Sequence, residues 1–329
     1  MKRRNFLKSG LLIPAVATMP RAVLAAQRTF DPQPRYWRQF EVTTRVELAG
    51  PRGGRRAWLP LPAVEDPVWT RPMGNRWSGN ARTMRVYQEK KYGAQMLYAE
   101  WDETESAPVV EVVSRAALRD RAIDFSVPNG ARLPDAEYRL YTEPSALIPI
   151  DGIVQKTAQE AIQGARADLD KARTIYEWVV DNSFRDPETR GCGLGDVKSM
   201  LETGNLSGKC ADINSLFVGL CRAVGLAARD VYGVRVADSQ FGLKTLGKSG
   251  DISKAQHCRA EVFIDDFGWV PVDPADVRKV VLEERPGLTL QNPLVRNVRE
   301  TLFGAWESNW LAYNFAHDVV LPNATGPMV

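Results

Sequence analysis

The chain has 329 residues, of which 44% are hydrophobic, and its 43 Lys and Arg against 40 Asp and Glu give a formal net charge of +3. This length allows two domains with full hydrophobic cores. The near balance of charge gives no indication of a nucleic-acid-binding surface. Because the chain has two histidines and four cysteines but no Cys-x-x-Cys pair, we expect neither a zinc site nor a cofactor.

Residues 1–25 have the composition of an export signal: a basic start, a short apolar stretch and small residues before a cleavage site near Ala25. The segment Arg3-Arg4-Asn5-Phe6-Leu7-Lys8 resembles the twin-arginine signal, which directs folded proteins across the bacterial inner membrane. Its removal takes away five basic residues and no acid, which leaves 38 Lys and Arg against 40 Asp and Glu, a net charge of −2. We therefore expect a periplasmic protein rather than a cytoplasmic one with a basic start. The apolar stretch is far shorter than the about 20 residues of a membrane span, so no anchor is expected.

Residues 28–125 have the pattern of a β-rich N-terminal domain. Apolar and polar residues alternate strictly from Phe40 to Leu48, which indicates a half-buried strand. Further strand candidates, separated by Gly, Asn and Pro clusters, are 56–61, 82–89, 95–101 and 109–115. Short strands at this spacing predict an antiparallel β-sandwich. Since the domain holds no histidine or cysteine, we expect a scaffold or lid beside a catalytic domain.

A Pro-rich linker, 126–149, is predicted to lead into a core domain at 150–280. Its predicted helices are 150–163, 168–182 and 197–201, and its predicted strands are 228–236, 256–264 and 269–273. The segment Asp265-Asp266-Phe267-Gly268 between the last two strands is typical of a type I hairpin turn. The C-terminal extension, 281–329, has aromatic residues at near-helical spacing, including Trp306 and Trp310, and we expect it to pack on the core with His317 in a structural role.

The most informative stretch is Gly208-Lys209-Cys210-Ala211-Asp212 and the run that follows it. Apolar residues recur on one helical face, at Ile213, Leu216, Phe217, Leu220, Cys221 and Val224. Gly225 predicts the end of this helix, and the turn residues before Cys210 predict its start. A cysteine in a first helical turn lies near unpaired N–H groups and the positive end of the helix dipole, and both favour the thiolate. We therefore predict that Cys210 is a nucleophile.

His257 and Asp273 are candidates for its partners. They lie 16 residues apart on two strands of a predicted hairpin, and an odd-numbered loop would place both on the same face of the sheet. An imidazole can hold the proton of a thiol nucleophile and deliver it to a leaving group, while a carboxylate orients the ring. Each residue alone has a structural alternative, His257 as a core histidine and Asp273 as a cap before Pro274. The ordered set of three favours catalysis.

Other polar and sulfur groups are less clearly assigned. The backbone N–H of Cys210 is a predicted oxyanion donor, and Asn205 is a candidate side-chain donor with a turn role as its alternative. Cys221 lies on the buried helical face and is interpreted as a small core residue. An oxidising periplasm would permit disulfides, so the pairing of Cys192 and Cys258 stays open.

The Cys210 motif with its helix, Gly225, Arg229 and the later His257…Gly268-Trp269-Val270-Pro271-Val272-Asp273-Pro274 together resemble the transglutaminase-like superfamily, over roughly 150–279. The resemblance implies an α+β papain-like core, shared with transglutaminases, peptide N-glycanases and cysteine peptidases, in which helices pack on an antiparallel sheet. It also implies that Cys210 is the nucleophile, His257 the general base and acid, and Asp273 the orienting carboxylate. The chain departs from many relatives at Arg259, where they have Trp.

The leading hypothesis is a periplasmic cysteine enzyme that acts through a Cys210 thioester on peptide or carboxamide bonds. We expect hydrolysis, by a peptidase or amidase, rather than cross-linking. Proteins and peptidoglycan stem peptides are the substrates that this compartment offers. The alternatives are a binding or assembly protein that kept the fold without the reaction, and a redox role for the thiols.

Overall fold

The structure, a computed structural model, describes residues 29–49 and 55–324. The predicted export signal at residues 1–25 lies outside the described residues. The described part of the chain contains no helix that is long and apolar enough to cross a membrane.

Seven strands precede the first helix of the described chain, and helices and strands are interspersed after it. The strands are β1 (Arg38–Glu47), β2 (Arg55–Leu61), β3 (Thr70–Gly79), β4 (Thr83–Gln88), β5 (Gln95–Trp101), β6 (Val109–Leu118), β7 (Arg121–Ala122), β8 (Phe184–Arg185), β9 (Ser207–Gly208), β10 (Ala228–Arg235), β11 (Gln256–Ile264), β12 (Gly268–Val272), β13 (Ala305–Trp306) and β14 (Trp310–Asn314). The helices are α1 (Asp135–Thr142), α2 (Gly152–Ala161), α3 (Asp168–Asn182), α4 (Val197–Thr203), α5 (Cys210–Ala223), α6 (Pro274–Lys279) and α7 (Pro293–Thr301).

The N-terminal half is built from two three-stranded antiparallel sheets, β1-β6-β3 and β2-β5-β4. Leu97 and Trp101 from one sheet pack with Val110 and Val112 from the other in a shared hydrophobic cluster. This arrangement confirms the predicted β-sandwich-like domain. The sequence did not predict β3, because its polar and glycine-containing stretch is interrupted by a bulge between Pro72 and Asn75.

The core is a four-stranded antiparallel sheet in the order β12-β11-β10-β14, covered by α5. Helices α2 and α3 pack on the other side of α5. Every residue of α5 except Ala223 is therefore buried. The sequence predicted one apolar face, but the polar residues of this helix are also buried, because each meets a polar partner in the sheet or the loops around it.

Three local predictions need correction: the conformation of the linker, that of the C-terminal aromatic residues, and the turn between β11 and β12. The linker contains α1, which the Pro-rich composition did not indicate. The aromatic stripe of the C-terminal extension is not helical: Trp306 lies in β13, and Trp310 lies in β14, which pairs with β10 and completes the core sheet. A spacing of four residues fits a helix, but pairing with an open sheet edge determines the conformation here.

The hairpin between β11 and β12 has a three-residue loop, since Ile264 pairs with Gly268. Its turn begins at Ile264, whose carbonyl accepts from the Phe267 N–H at 3.0 Å, and Asp266 adopts a left-handed conformation with φ of 70°. A type I turn starting at Asp265 has no such residue, so that prediction was wrong. The loop length is nevertheless odd, which is the condition for placing His257 and Asp273 on one face of the sheet.

Candidate active site

Cys210 is the first residue of α5 and lies at the floor of a cavity of about 460 Å³. Its residue surface is 3% exposed. Among the described residues no acceptor bonds its backbone N–H, as expected for the first residue of a helix. Cys210 therefore lies at the positive end of α5, where its own backbone N–H is an unpaired donor.

The hairpin register brings the two predicted partners together. Ala260 pairs with Val272, so Asp273 comes opposite Arg259, and His257 lies two residues further along on the same face. The Nε2 atom of His257 is 2.7 Å from Oδ2 of Asp273. Cys210 lines the same cavity as His257, and the bonding and charge of His257 are among the causes that lower the pKa of the Cys210 thiol. The structure thus brings the three predicted residues to one centre, with Cys210 and His257 lining one cavity and Asp273 bonded to His257.

A second acid acts on the same imidazole. Asp276, in the first turn of α6, lies 3.4 Å from His257 Nε2 and also accepts from the Arg235 guanidinium at 2.5 Å. Burial and the charge of Arg235 lower the pKa of His257, but Asp276 and Asp273 outweigh them and raise this pKa from 6.5 to about 9. The imidazolium is therefore the stable form of His257 at neutral pH.

Asp273 is held by groups that sequence reasoning did not assign. Its Oδ1 accepts from the Asp276 backbone N–H at 3.1 Å and from Asn214 Nδ2 at 3.4 Å. Arg259 Nε lies 3.4 Å from Oδ2. Burial raises the pKa of Asp273 and so does Asp276, whereas His257 and Arg259 lower it. The position of Arg259 two residues after His257 was a signal for this contact, since alternate strand residues share a face.

Arg259 is itself buried rather than exposed to substrate. Its guanidinium lies 4.7 Å from the ring centre of Trp310 and 5.2 Å from that of Trp306. These contacts are cation–π interactions, which suit the weakly hydrated, planar guanidinium. The residue that departs from many relatives therefore supports Asp273 from behind, in a pocket built by the C-terminal extension.

Two further thiols surround the candidate nucleophile. The Sγ atoms of Cys192, Cys210 and Cys258 all lie within 4.8 Å of one another. Hydrogen bonds from Cys192 and Cys258, followed by the bond and charge of His257, hold the pKa of Cys210 well below its ordinary value of 9 despite burial. The bond to Cys210 raises the pKa of Cys192 to about 12. Among these three thiols, Cys210 is therefore the one for which the thiolate is favoured.

Asp212 fixes the loop that carries Cys192. Its Oδ1 accepts from the backbone N–H groups of Leu194 and Gly195 at 3.0 and 2.9 Å, and its Oδ2 accepts from Lys209 N–H at 2.9 Å. A Cβ on Gly193, which has φ of 95°, would lie 1.8 Å from this carboxylate. The sequence suggested only a favourable acid at a helix N-terminus, but the carboxylate also joins the loop to the start of α5.

Asn205 is not brought to the cavity. It is exposed, and its Oδ1 accepts from the backbone N–H and the hydroxyl of Ser207 at 3.1 and 2.6 Å. These bonds form a local turn, which was the alternative to an oxyanion role. Asn205 is absent from the described residues that line the cavity around Cys210.

Among the described residues, two groups of side chains are close enough to hold a metal ion: the three thiols, and His257 with Asp273 and Asp276. In the second group the negative charge is already balanced by Arg235 and Arg259. The thiol group has the donor type that soft metal ions prefer.

A second and larger cavity, of about 770 Å³, reaches the same centre from the N-terminal half. Its lining includes Val42 to Val46 of β1 on one side and Cys192, His257 and Cys258 on the other. Strand β1 is an edge strand, paired with β6 alone among the described strands. The candidate centre therefore lies where an open groove between the two halves meets the smaller cavity.

Residues 155–274 match the family described as the transglutaminase-like superfamily. The chain is 34% identical over 297 residues to an uncharacterized protein of Haemophilus influenzae, covering 85% of this chain and 79% of that one. It is also similar to the crystal structure of a "putative cysteine protease" from Cytophaga hutchinsonii, with a TM-score of 0.55, 13% sequence identity and coverage of 87% of this chain and 95% of that one. The latter likeness shows the fold alone.

Proposed function

Since the chain belongs to the transglutaminase-like superfamily, we propose that it is a cysteine hydrolase of peptide or carboxamide bonds, with Cys210, His257 and Asp273 as its catalytic residues. The observation that carries this proposal is the placement of Cys210, at a helix N-terminus, on the same cavity as His257, whose ring lies 2.7 Å from Asp273. A thiolate and imidazolium paired in this way are poised for acyl transfer.

The reaction follows from the roles of these groups. The Cys210 thiolate attacks the carbonyl carbon, and the Cys210 backbone N–H donates to the oxyanion. His257 gives its proton to the leaving amine, which leaves a thioester and a neutral imidazole. His257 then takes a proton from water as the water attacks the thioester, and the acid product departs with the thiolate restored. Asp273 keeps the ring in orientation through both steps.

We also propose that the protein works in the periplasm on proteins or peptidoglycan stem peptides. The export-like start of the sequence supports this location. The groove along β1 supports an extended substrate, because an edge strand offers unpaired backbone groups to a passing peptide. Hydrolysis is preferred to amine transfer because water is abundant there.

Replacement of the nucleophile tests the reaction. Cys210→Ala should abolish hydrolysis of a mixed peptide library while leaving the circular dichroism spectrum and Tm unchanged. Cys221→Ala is the matched control, since that thiol is buried in the core away from the centre. Equal hydrolysis by wild type and Cys210→Ala would reject the proposal.

Reactivity distinguishes the enzyme from a silent binding protein. At pH 6 iodoacetamide should label Cys210 well before Cys192, Cys221 and Cys258, because only a thiolate reacts. Equal labelling of all four would favour a binding or assembly role. Hydroxylamine added during turnover should then divide products between acid and hydroxamate, and the hydroxamate would indicate a thioester intermediate.

A further inference from the structure

The smaller cavity beside Cys210 has a strongly cationic lining. Six basic side chains of the described chain line it: Arg185, Lys209, Arg235, Lys248, Lys254 and Lys279. Among the described residues no Asp or Glu contributes to this lining. The cavity also contains Cys210 and His257, so its charge lies next to the candidate nucleophile.

Part of this charge is neutralised from outside the cavity. Arg235 is paired with the buried Asp276. Arg185 lies 2.8 Å from Glu283, and Lys279 lies 4.0 Å from the same carboxylate, so one acid serves two cations. Burial and the charge of Arg235 lower the pKa of Lys279, as expected where positive charges are crowded.

The remaining lysines have no such partner. Within the described residues no carboxylate lies within 4.0 Å of the amines of Lys209, Lys248 or Lys254. Asp251, in the same loop, lines the larger cavity rather than this one, but the charges of Lys248 and Lys254 contribute to lowering its pKa, so it offsets part of their charge. A concave surface with an excess of positive charge attracts anions and raises their local concentration.

We infer that this cavity binds a carboxylate on the substrate, next to the bond that Cys210 attacks, so that the preferred substrates are anionic peptides. This inference rests on the proposed function of Cys210. The uncharged part of the substrate would lie in the groove along β1, whose lining is mixed in charge. The lysine and arginine side chains of this cavity can donate charge-assisted hydrogen bonds to a carboxylate on either side of the attacked bond.

Paired alkylating reagents test the charge preference without a known substrate. Iodoacetate and iodoacetamide both lose iodide to the Cys210 sulfur, but only iodoacetate carries a carboxylate. The rate constant for iodoacetate divided by that for iodoacetamide should be about tenfold higher at Cys210 of the wild type than for free N-acetylcysteine. Part of this preference comes from the His257 imidazolium, so the decisive measurement is made on lysine variants.

The double variant Lys248→Gln, Lys254→Gln should lower the iodoacetate ratio about fivefold and leave the iodoacetamide rate unchanged. Lys156→Gln is the matched control, because it removes the same charge from an exposed position on α2. High salt should slow iodoacetate alone. An unchanged ratio in the double variant overturns the anion site only, whereas no labelling of Cys210 by either reagent overturns the proposed function and this inference with it.

The thiol cluster carries a second inference. The main chain of Cys192 is held beside α5, since its carbonyl accepts from the Ala211 N–H at 2.9 Å. Its sulfur is within 4.8 Å of that of Cys210, so a side-chain rotation brings the two toward the about 2.05 Å of a disulfide. Cys258 is fixed in β11 between two paired strands, and Cys192 is the more exposed of the two neighbours.

We propose that Cys192 is a resolving thiol that protects Cys210 from irreversible oxidation. A peroxide takes two electrons from the Cys210 thiolate, which becomes a sulfenic acid as the O–O bond breaks. The Cys192 sulfur attacks this sulfenic sulfur and loses its proton, water leaves, and a Cys192–Cys210 disulfide forms. A dithiol reductant then restores both thiols by exchange.

Mass spectrometry after hydrogen peroxide treatment tests this step. The wild type should give a Cys192–Cys210 linked peptide, and dithiothreitol should restore at least nine-tenths of iodoacetamide labelling at Cys210. Cys192→Ser should instead accumulate sulfinic and sulfonic acid at Cys210, with no recovery. Cys258→Ser is the matched control and should still form the linked peptide. Irreversible oxidation of the wild type, or full recovery of Cys192→Ser, overturns the inference.

Discussion

Both histidines of the chain lie beside a buried aspartate, but their surroundings differ. His257 is 2.7 Å from Asp273 and lines the same cavity as Cys210. His317 is 3.3 Å from Asp230 and 3.4 Å from the Tyr232 hydroxyl, beside a cavity of about 520 Å³ whose described lining contains no cysteine. A buried His–Asp pair therefore does not define a catalytic site by itself, and a thiol on the same cavity as the ring is what gives His257 a chemical role.

The groups that contact the two aspartates, Asp273 and Asp230, also differ. Asp273 accepts from the main chain of Asp276, lies against Arg259 and shares His257 with a second acid. Asp230 is contacted by the Ser215 hydroxyl at 3.2 Å. The charge around His257 therefore stabilises the imidazolium, and this is the form that protonates a leaving amine.

Matched substitutions of His257 and His317 give the most direct test of whether the two histidines differ in function. His257→Gln should lower kcat for a peptide substrate by about 10³-fold, because the leaving amine loses its proton donor and the thiolate loses its counterion. His317→Gln should change kcat less than about threefold, since it alters only packing and a buried hydrogen bond. Both are measured by steady-state hydrolysis on variants whose folding is checked by Tm. A large loss of activity in His317→Gln would show that the two pairs are not distinct in function.

The pH dependence of the two reactions would sharpen the contrast. The depressed pKa of Cys210 keeps the thiolate present at pH values well below 9, so iodoacetamide labelling should already be near its maximum at neutral pH. The pKa of His257 is raised to about 9, so turnover should fall as the pH rises through that value and the imidazolium is lost. Turnover falls in this direction because the protonated form of His257 is the acid that the leaving amine needs. Turnover that keeps rising above pH 10 would contradict the assignment.

Much of this centre was predictable from the sequence because it depends on local patterns. The start of α5 at Cys210 followed from turn residues and apolar periodicity, whereas the shared face of His257 and Asp273 was predicted only on the condition of an odd loop, which the structure supplies. The β-sandwich-like domain was likewise visible in strand spacing.

The rest depends on contacts between distant segments. Cys192 and Cys258 reach the Cys210 sulfur from a loop and a strand, and no periodicity relates these three positions. Trp310 has helical spacing in the sequence, but its conformation is set by the pairing of β14 with β10, which is distant in the chain. The cationic cavity joins lysines that are scattered over about 70 residues of sequence, so composition alone showed only balanced charge.

Loosening the loop that carries Cys192 tests whether Asp212 positions this thiol beside Cys210. Asp212→Asn keeps the side-chain shape but replaces one acceptor oxygen of the carboxylate with an N–H₂ donor that faces backbone N–H groups. Iodoacetamide labelling of Cys210 should slow about tenfold, and unfolding should cost about 1–3 kcal/mol less. Asp196→Asn, which alters the cap of α4 through Ser199 N–H, is the matched control. Equal labelling rates in both variants would reject a positioning role for Asp212.

Arg259→Lys should have the smallest effect, because it keeps the charge near Asp273 and loses only the planar stacking on Trp306 and Trp310. We expect a fall in kcat of about threefold with KM unchanged, since the residue supports the acid rather than the substrate. Arg259→Met removes the charge as well, and because Arg259 lowers the pKa of Asp273, the acid limb of the kcat profile should then move to higher pH. The opposite result, a changed KM with the pH profile intact, would place Arg259 in substrate binding, where the Trp of many relatives was expected to lie.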